Sequence, residues 1–155
     1  MDIKVVEKEE MKVVGISWSG DHSQRTIIPQ LFDEMEKRLH DIAYKTDEPV
    51  FIAPFHSRET DLTYYVMAPV EKLDDIPEGM SGFTIPKKYY VHTTHVGRFE
   101  EIKNTYHHIY AWMKEYGYDQ DYQALSLEVY KHEHVLQNKA GDLHFDIYLP
   151  VKIYK

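Results

Sequence analysis

The sequence predicts an α+β fold built from two β-α-β-β modules in tandem, and three observations carry that expectation. The first is an internal repeat. Asp61-Leu62-Thr63-Tyr64-Tyr65-Val66-Met67-Ala68-Pro69-Val70 matches Asp142-Leu143-His144-Phe145-Asp146-Ile147-Tyr148-Leu149-Pro150-Val151 without a gap, with identity at Asp, Leu, Pro and Val. The second is a helical apolar stripe in each half: Ile28, Leu31, Phe32, Met35, Leu39 and Ile42, then Ile102, Tyr106, Ile109, Met113 and Tyr116. The third is a set of short alternating runs around those helices, the pattern of strands with two distinct faces. The expected organisation is one domain, residues 1–155, made of repeats at about 1–70 and 87–155 with a connector at 71–86.

In chain order, Ile3 and Val5 alternate, and Lys12 to Trp18 reads as a strand ending at Ser19-Gly20. Pro29 suits the first turn of the helix that follows. Val50-Phe51-Ile52-Ala53-Pro54-Phe55 reads as a strand that Pro54 confines to an edge or a bulge. After the polar turn His56 to Thr60 comes a strand over 62–68, and Pro77, Glu78 and Gly79 mark the connector. The second half repeats the order: strand Tyr89 to His95, a break at Gly97, a helix stopped by Gly117, then strands over 125–130 and 143–149.

Composition narrows the function. A chain that is 43% hydrophobic and 14% aromatic can fill an interior, so it is globular. A net charge of -8 opposes a phosphate backbone, and no Lys/Arg stripe reverses it, which argues against direct nucleic-acid binding. Without cysteine there is no disulfide framework and no thiolate metal site or nucleophile. No apolar run approaches the ~20 residues of a membrane span, so the chain is expected to be soluble and cytoplasmic, without a membrane partner. The histidines of His132-Glu133-His134 and His107-His108 lack the spacing of a metal motif, and no phosphate-binding glycine loop occurs, so neither metal nor cofactor is expected. Gly15 to Gly20 is a strand end, since neither serine in it has the flanking glycines of a nucleophile elbow.

Leu125 to Tyr130 alternates strictly, which sets Leu125, Leu127 and Val129 on one face and Ser126, Glu128 and Tyr130 on the other. The apolar set is expected to meet the helix, together with Val50, Ile52, Leu62, Tyr64, Val66, Leu143, Phe145 and Ile147. The opposite face then collects Phe51, Ala53, Phe55, Tyr65, Met67, Glu128, Tyr130, Asp146 and Tyr148. An aromatic face with a carboxylate, at the junction of two modules, is what a small-molecule groove needs; cover by a second subunit is the alternative, and Glu128 alone could be a solvated residue. Trp18 reads as core or as groove rim.

Lys12-Val13-Val14-Gly15-Ile16-Ser17, His95-Val96-Gly97-Arg98-Phe99-Glu100-Glu101, Leu127-Glu128-Val129-Tyr130 and Asp146-Ile147-Tyr148-Leu149-Pro150-Val151 together resemble the gyrase-inhibitory-protein-like (GyrI-like) family. These are effector-binding domains, also found fused to AraC-type and MerR-type regulators. The resemblance implies a duplicated SHS2-like module, a curved antiparallel sheet with two helices on one side, and a ligand groove between the halves. It implies that Glu128 meets lipophilic, cationic ligands; alternation adds Tyr130, Tyr148, Tyr65, Met67 and Phe55 to the expected site, with Trp18 at its rim. This sequence has Gly20-Asp21-His22 and Gly97-Arg98-Phe99 where the family usually has Gly-Pro-Tyr.

The leading expectation is a free-standing effector-binding protein for transcription regulation or multidrug sensing. With no DNA-binding segment in the sequence, its output would pass through a protein partner, and a homodimer is open. The alternative is a hydrolase of strained, cyclopropanoid or electrophilic molecules, with Glu128 as general base and Tyr130 or Tyr148 polarising the leaving oxygen. A third reading is an inhibitor of a basic protein such as a topoisomerase.

Overall fold

The computed structural model of the protein describes residues 2–138 and 142–153. In chain order the elements are β1 (Lys4–Lys8), β2 (Met11–Asp21), α1 (Ile28–Arg38), β3 (Val50–Ser57), β4 (Asp61–Val70), β5 (Ser81–Ile85), β6 (Lys88–Gly97), α2 (Ile102–Tyr116), β7 (Ser126–Lys131), α3 (His132–Asn138) and β8 (Leu143–Pro150). The fold class is α+β, and every strand pairing described is antiparallel. The chain divides into two compact units, Glu10–Pro86 and Met1–Glu9 with Lys87–Lys155.

In the Glu10–Pro86 unit the strand order is β3-β4-β2-β5. A capping box sets up the approach to α1: the Asp21 carboxylate accepts from the Ser23 amide at 3.0 Å while Gln24 accepts from the Asp21 amide at 3.1 Å. Leu31, Phe32 and Met35 form the buried stripe of α1. Phe32 meets Phe51 edge-on at 5.9 Å and Tyr64 at 6.5 Å, which fixes the face of the sheet that α1 covers.

The other unit has the order β1-β6-β8-β7. Its core is Val91, Ile109, Met113, Phe145, Ile147, Leu149 and Val151, so α2 packs on the face that carries alternate residues of β6 and β8. Gly117 takes the left-handed conformation, φ 77°, that ends α2, as its position after the apolar stripe predicts. Each unit sets a β-α-β-β module in the same order, β3-β4-β2 in one and β7-β8-β6 in the other.

The structure corrects three expectations about boundaries. Ser81–Ile85, inside the stretch read as connector, is a strand paired with β2 from Met11↔Ile85 to Gly15↔Ser81. The alternating residues at the N-terminus form β1, which pairs with β6 and so joins the unit of the second half. Each of these strands closely precedes the first strand of one module and pairs with the first strand of the other. Local sequence does not encode a non-local partner. Third, His132–Asn138, between the strands read over 125–130 and 143–149, is a helix that the sequence reading lacks, because a two-turn helix needs no repeated stripe, only Val135 turned inward at 6% exposure.

The faces of β3 and β7 are also reversed. Phe51 contacts Phe32 of α1, and alternation sets Ala53 and Phe55 on the same side, with Phe55 stacked on Tyr64 at 5.9 Å. Trp18 pairs with Tyr64 in the ladder and so shares that side. The register is the same on both sides of Pro54, Ile52↔Met67 and Phe55↔Tyr64, so the proline causes no slip. The physical reason is two-sided burial: Phe51, Ile52 and Ala53 are all at most 4% exposed, and apolar alternation cannot tell which of two dry faces meets the helix.

This assignment predicts different costs along one strand. Phe51→Ala should lower the free energy of unfolding by about 3–5 kcal/mol in denaturant titration. Phe55→Ala, at a half-buried position, should cost clearly less; equal losses would contradict the assignment.

Candidate ligand site

Glu128 pairs with Ile147 in the β7–β8 ladder, and partners in an antiparallel pair share a face. Its side chain therefore lies on the α2 side of the sheet, among Phe145, Ile147 and Leu149, and the residue is 8% exposed. The expectation that Glu128 and Tyr130 face away from the helices is thus reversed, as on β3. Ser126, Leu127 and Glu128 are buried in succession, so β7 too is dry on both faces.

A carboxylate on the apolar side of a sheet needs hydrogen-bond donors, and two phenols supply them. Tyr106, on the inward stripe of α2, donates to Oε2 at 2.5 Å, and Tyr130 donates to Oε1 at 2.9 Å. The Tyr130 ring stacks on Phe145 with centroids 4.7 Å apart and 19° between planes, which fixes the direction of its hydroxyl. Burial first, and the Glu128 charge second, push the Tyr106 phenol well above its ordinary value, so it stays protonated as a donor. A carboxylate framed by Tyr106, Tyr130 and Phe145 can hold a cation by charge and ring-face attraction, or act as a base beside a phenol.

The other expected site residues are described within their own units. Tyr65 and Met67 occupy the face of their sheet turned from α1, where Tyr65 meets Phe83 edge-on at 5.3 Å. Tyr148 is on the side of its sheet opposite Glu128, because Tyr148 pairs with Leu127. There its ring stacks on His92 at 4.5 Å and lies 4.4 Å from the Lys8 ammonium. Burial, with Asp146 adding to it, pushes the Tyr148 phenol up to about 12. Burial opposes ionisation of Asp146, but bonds from His92 at 3.1 Å and Thr94 at 2.6 Å outweigh it and hold the carboxyl below its ordinary value. Phe55 and Trp18 belong to the other unit, on the face of its sheet that α1 covers. Among the expected residues of its own unit, the structure brings Tyr130 to Glu128 and sets Tyr148 on the opposite face. Tyr106 was legible only as part of a helical stripe, although a phenol on such a stripe signals a hydroxyl in need of a buried partner.

Residues 1–152 match the GyrI-like small molecule binding domain. The chain belongs to that family. Over 112 residues this GyrI-like chain is 30% identical to the transcriptional regulator BrlR of Pseudomonas aeruginosa, a match covering 72% of this chain and 41% of the relative. The chain thus spans less than half the length of that curated relative. Among solved structures, it resembles SAV2435 bound to tetraphenylphosphonium, with TM-score 0.71 and 13% identity over 98% of this chain and 94% of the other. It also resembles the EcmrR–DNA complex, with TM-score 0.73 and 19% identity over 99% of this chain and 58% of that one. A hydrolase from Listeria innocua follows at TM-score 0.58 and 16% identity over 97% and 91% of the two chains. These structural likenesses show the fold that the GyrI-like domain shares with them. No helix among the described residues is long and apolar enough to cross a membrane.

The Tyr106–Glu128 bond predicts an alkaline weakness. A phenol whose folded value is raised contributes stability that is fully present below its ordinary value of 10.0 and is lost as pH rises through the folded value. The thermal midpoint should fall above about pH 10 and fall less steeply in Tyr106→Phe. At pH 7 that variant should cost about 1.5–3 kcal/mol, the worth of a hydrogen bond to a charged group. Parallel pH profiles of the two proteins would contradict this role for Tyr106.

Proposed function

We propose that this GyrI-like domain captures a lipophilic cation whose positive centre is held by Glu128, and that occupancy is the signal it passes on. The observation that carries this reading is the buried carboxylate beneath α2, framed by Tyr106, Tyr130 and Phe145. Rings supply dispersion and cation–π attraction, while the carboxylate supplies the counter-charge in a site of low water content. A ligand that reaches Oε2 takes the place of the Tyr106 hydroxyl, so a cation, with its net charge, displaces the phenol where a neutral donor would only substitute for it. The tetraphenylphosphonium carried by SAV2435, of the same fold, is a ligand of this chemistry. The domain would act in the cytoplasm, and a transcriptional output would need a DNA-binding segment or partner, as the names BrlR and EcmrR–DNA complex suggest for those relatives.

A hydrolytic reading rests on the same pair, with Glu128 as base and Tyr106 as the adjacent proton donor at 2.5 Å. Tyr148, across the sheet, drops out of that role. Product formation from an electrophilic cyclopropane, abolished in Glu128→Gln, would favour the enzyme; binding without turnover favours the sensor.

Calorimetric titration of tetraphenylphosphonium and of neutral triphenylmethanol, each into wild type and Glu128→Gln, tests the binding reading. The variant should lose about tenfold to a hundredfold or more in affinity for the cation and much less for the neutral compound. Equal losses for both, or none for either, would remove Glu128 from the site.

A further inference from the structure

The tyrosine excess of this chain is not used up at Glu128. Around the C-terminal end of α2 stand Tyr110, Tyr116 and Tyr122, exposed to 45%, 60% and 72%, beside Trp112 and Tyr118. The Trp112 and Tyr118 rings are stacked, with centroids 5.5 Å apart and 8° between planes. An open cleft of about 450 Å³ lies here, with Tyr110, Met113, Tyr118 and Tyr122 among its walls. Exposed aromatic surface around a concavity is a feature that binding sites share.

The walls are held in place before any ligand arrives. Gly117 ends α2, and the Tyr118 amide returns to the Met113 carbonyl at 2.9 Å. The loop that follows is tied to the end of β8: the Asp121 amide donates to the Pro150 carbonyl at 2.9 Å and the Lys152 amide to the Asp119 carbonyl at 3.0 Å. Asp121 is further pinned by Lys88 at 2.6 Å. A pre-formed site avoids the ordering cost that a mobile loop would add on binding.

The charge of the lining runs against that of the chain. Lys114, Lys152 and Asp119 are among the lining residues, within a protein of net charge -8, and Asp121 in the adjoining loop is close enough to Lys152 to feel its charge. Burial and the nearby Tyr122 raise the Tyr110 phenol, which keeps it a donor. Two ammonium groups and phenol donors around flat rings select a planar molecule that bears an anionic oxygen group.

We propose that this cleft is a second binding site, for a planar aromatic anion, opposite in charge preference to the Glu128 carboxylate and next to it through the Tyr110–Tyr106 ring pair, 6.5 Å apart. The ring rests on Tyr110, Tyr118 and Tyr122, and the carboxylate or sulfonate turns toward Lys114 and Lys152. The proposal does not depend on the cation reading of Glu128.

Trp112 and Trp18 are the two tryptophans of the chain, so isotope-labelled protein gives two indole N–H signals, which Trp18→Phe assigns. Titration with naphthalene-2-sulfonate should shift the Trp112 signal to saturation and leave that of Trp18 in place. Excess tetraphenylphosphonium should not reverse the shift, whether or not that cation binds at Glu128. The exposed pair Tyr110→Ala/Tyr122→Ala should weaken binding by about tenfold or more, from lost ring contact. Lys114→Gln should weaken it about two- to fivefold, as an exposed charge pair does, with little change for the neutral sulfonamide. A shift that never saturates, displacement by the cation, or indifference to the tyrosine pair and to Lys114 would overturn the proposal. So would a Trp112 shift that follows protein concentration without the probe, which would assign the cleft to a second copy of the chain.

Discussion

A carboxylate buried on the apolar side of a sheet constrains everything around it. Stripped of water, Glu128 is tolerable only if donors replace the lost hydration. One donor comes from its own strand, two residues along, where Tyr130 lies against Phe145. The other must come from the element that covers the sheet, so α2 carries Tyr106 on a stripe otherwise made of Ile102, Ile109 and Met113. The register of β7 on β8, the docking of α2 and the rotamer of Tyr130 thus meet at one pair of oxygens.

The internal repeat supplies a comparison within the same chain. The register that pairs Ile52 with Met67 and Phe55 with Tyr64 sets Ala53 opposite Val66, and Val66 aligns with Ile147, the partner of Glu128. Ala53 therefore holds the position of Glu128, and Phe55 that of Tyr130. The ring pair survives in both copies: Phe55 stacks on Tyr64 at 23°, and Tyr130 on Phe145 at 19°. What differs is which strand carries the hydroxyl. In one copy the strand that holds the carboxylate position, β3, has Ala53 there and the hydroxyl-free Phe55 two residues along, and the phenol, Tyr64, is on the neighbouring β4. In the other, β7 carries both Glu128 and the Tyr130 phenol that donates to it, and the ring on β8 is Phe145. The packing is common to the modules, and the polar chemistry is particular to one.

Much of this was readable in the sequence. The gapless repeat from Asp61 and Asp142, the stripes of α1 and α2 and the stop at Gly117 are local patterns, and local patterns survive into the fold. What failed was the step from alternation to orientation on β3 and β7. Apolar alternation reports which face is dry only when the other is wet, and Leu127 is as deeply buried as Phe51. The pairings of β1 and β5 were illegible for a different reason, since an edge strand chooses its partner through contacts distant in sequence. Glu128 was identified from a resemblance and its polarity, whereas Tyr106 was hidden by doing two things at once.

If Glu128 holds a cation as proposed, that double duty would shape what the site selects. Tyr106 contributes its ring to the α2 stripe and its proton to Glu128, so a ligand that takes Oε2 must offer more than the bond it replaces. A neutral donor gains one hydrogen bond and loses another of the same kind, with the phenol left short of its acceptor. A cation gains the Coulomb attraction that the phenol lacks, in surroundings where little water screens it. Charge selectivity at Glu128 would then come less from any attraction to the cation alone than from the difference between that attraction and the internal partner it displaces. On the proposed reading, the tyrosine that makes the buried carboxylate tolerable would also be the competitor that sets the threshold for binding.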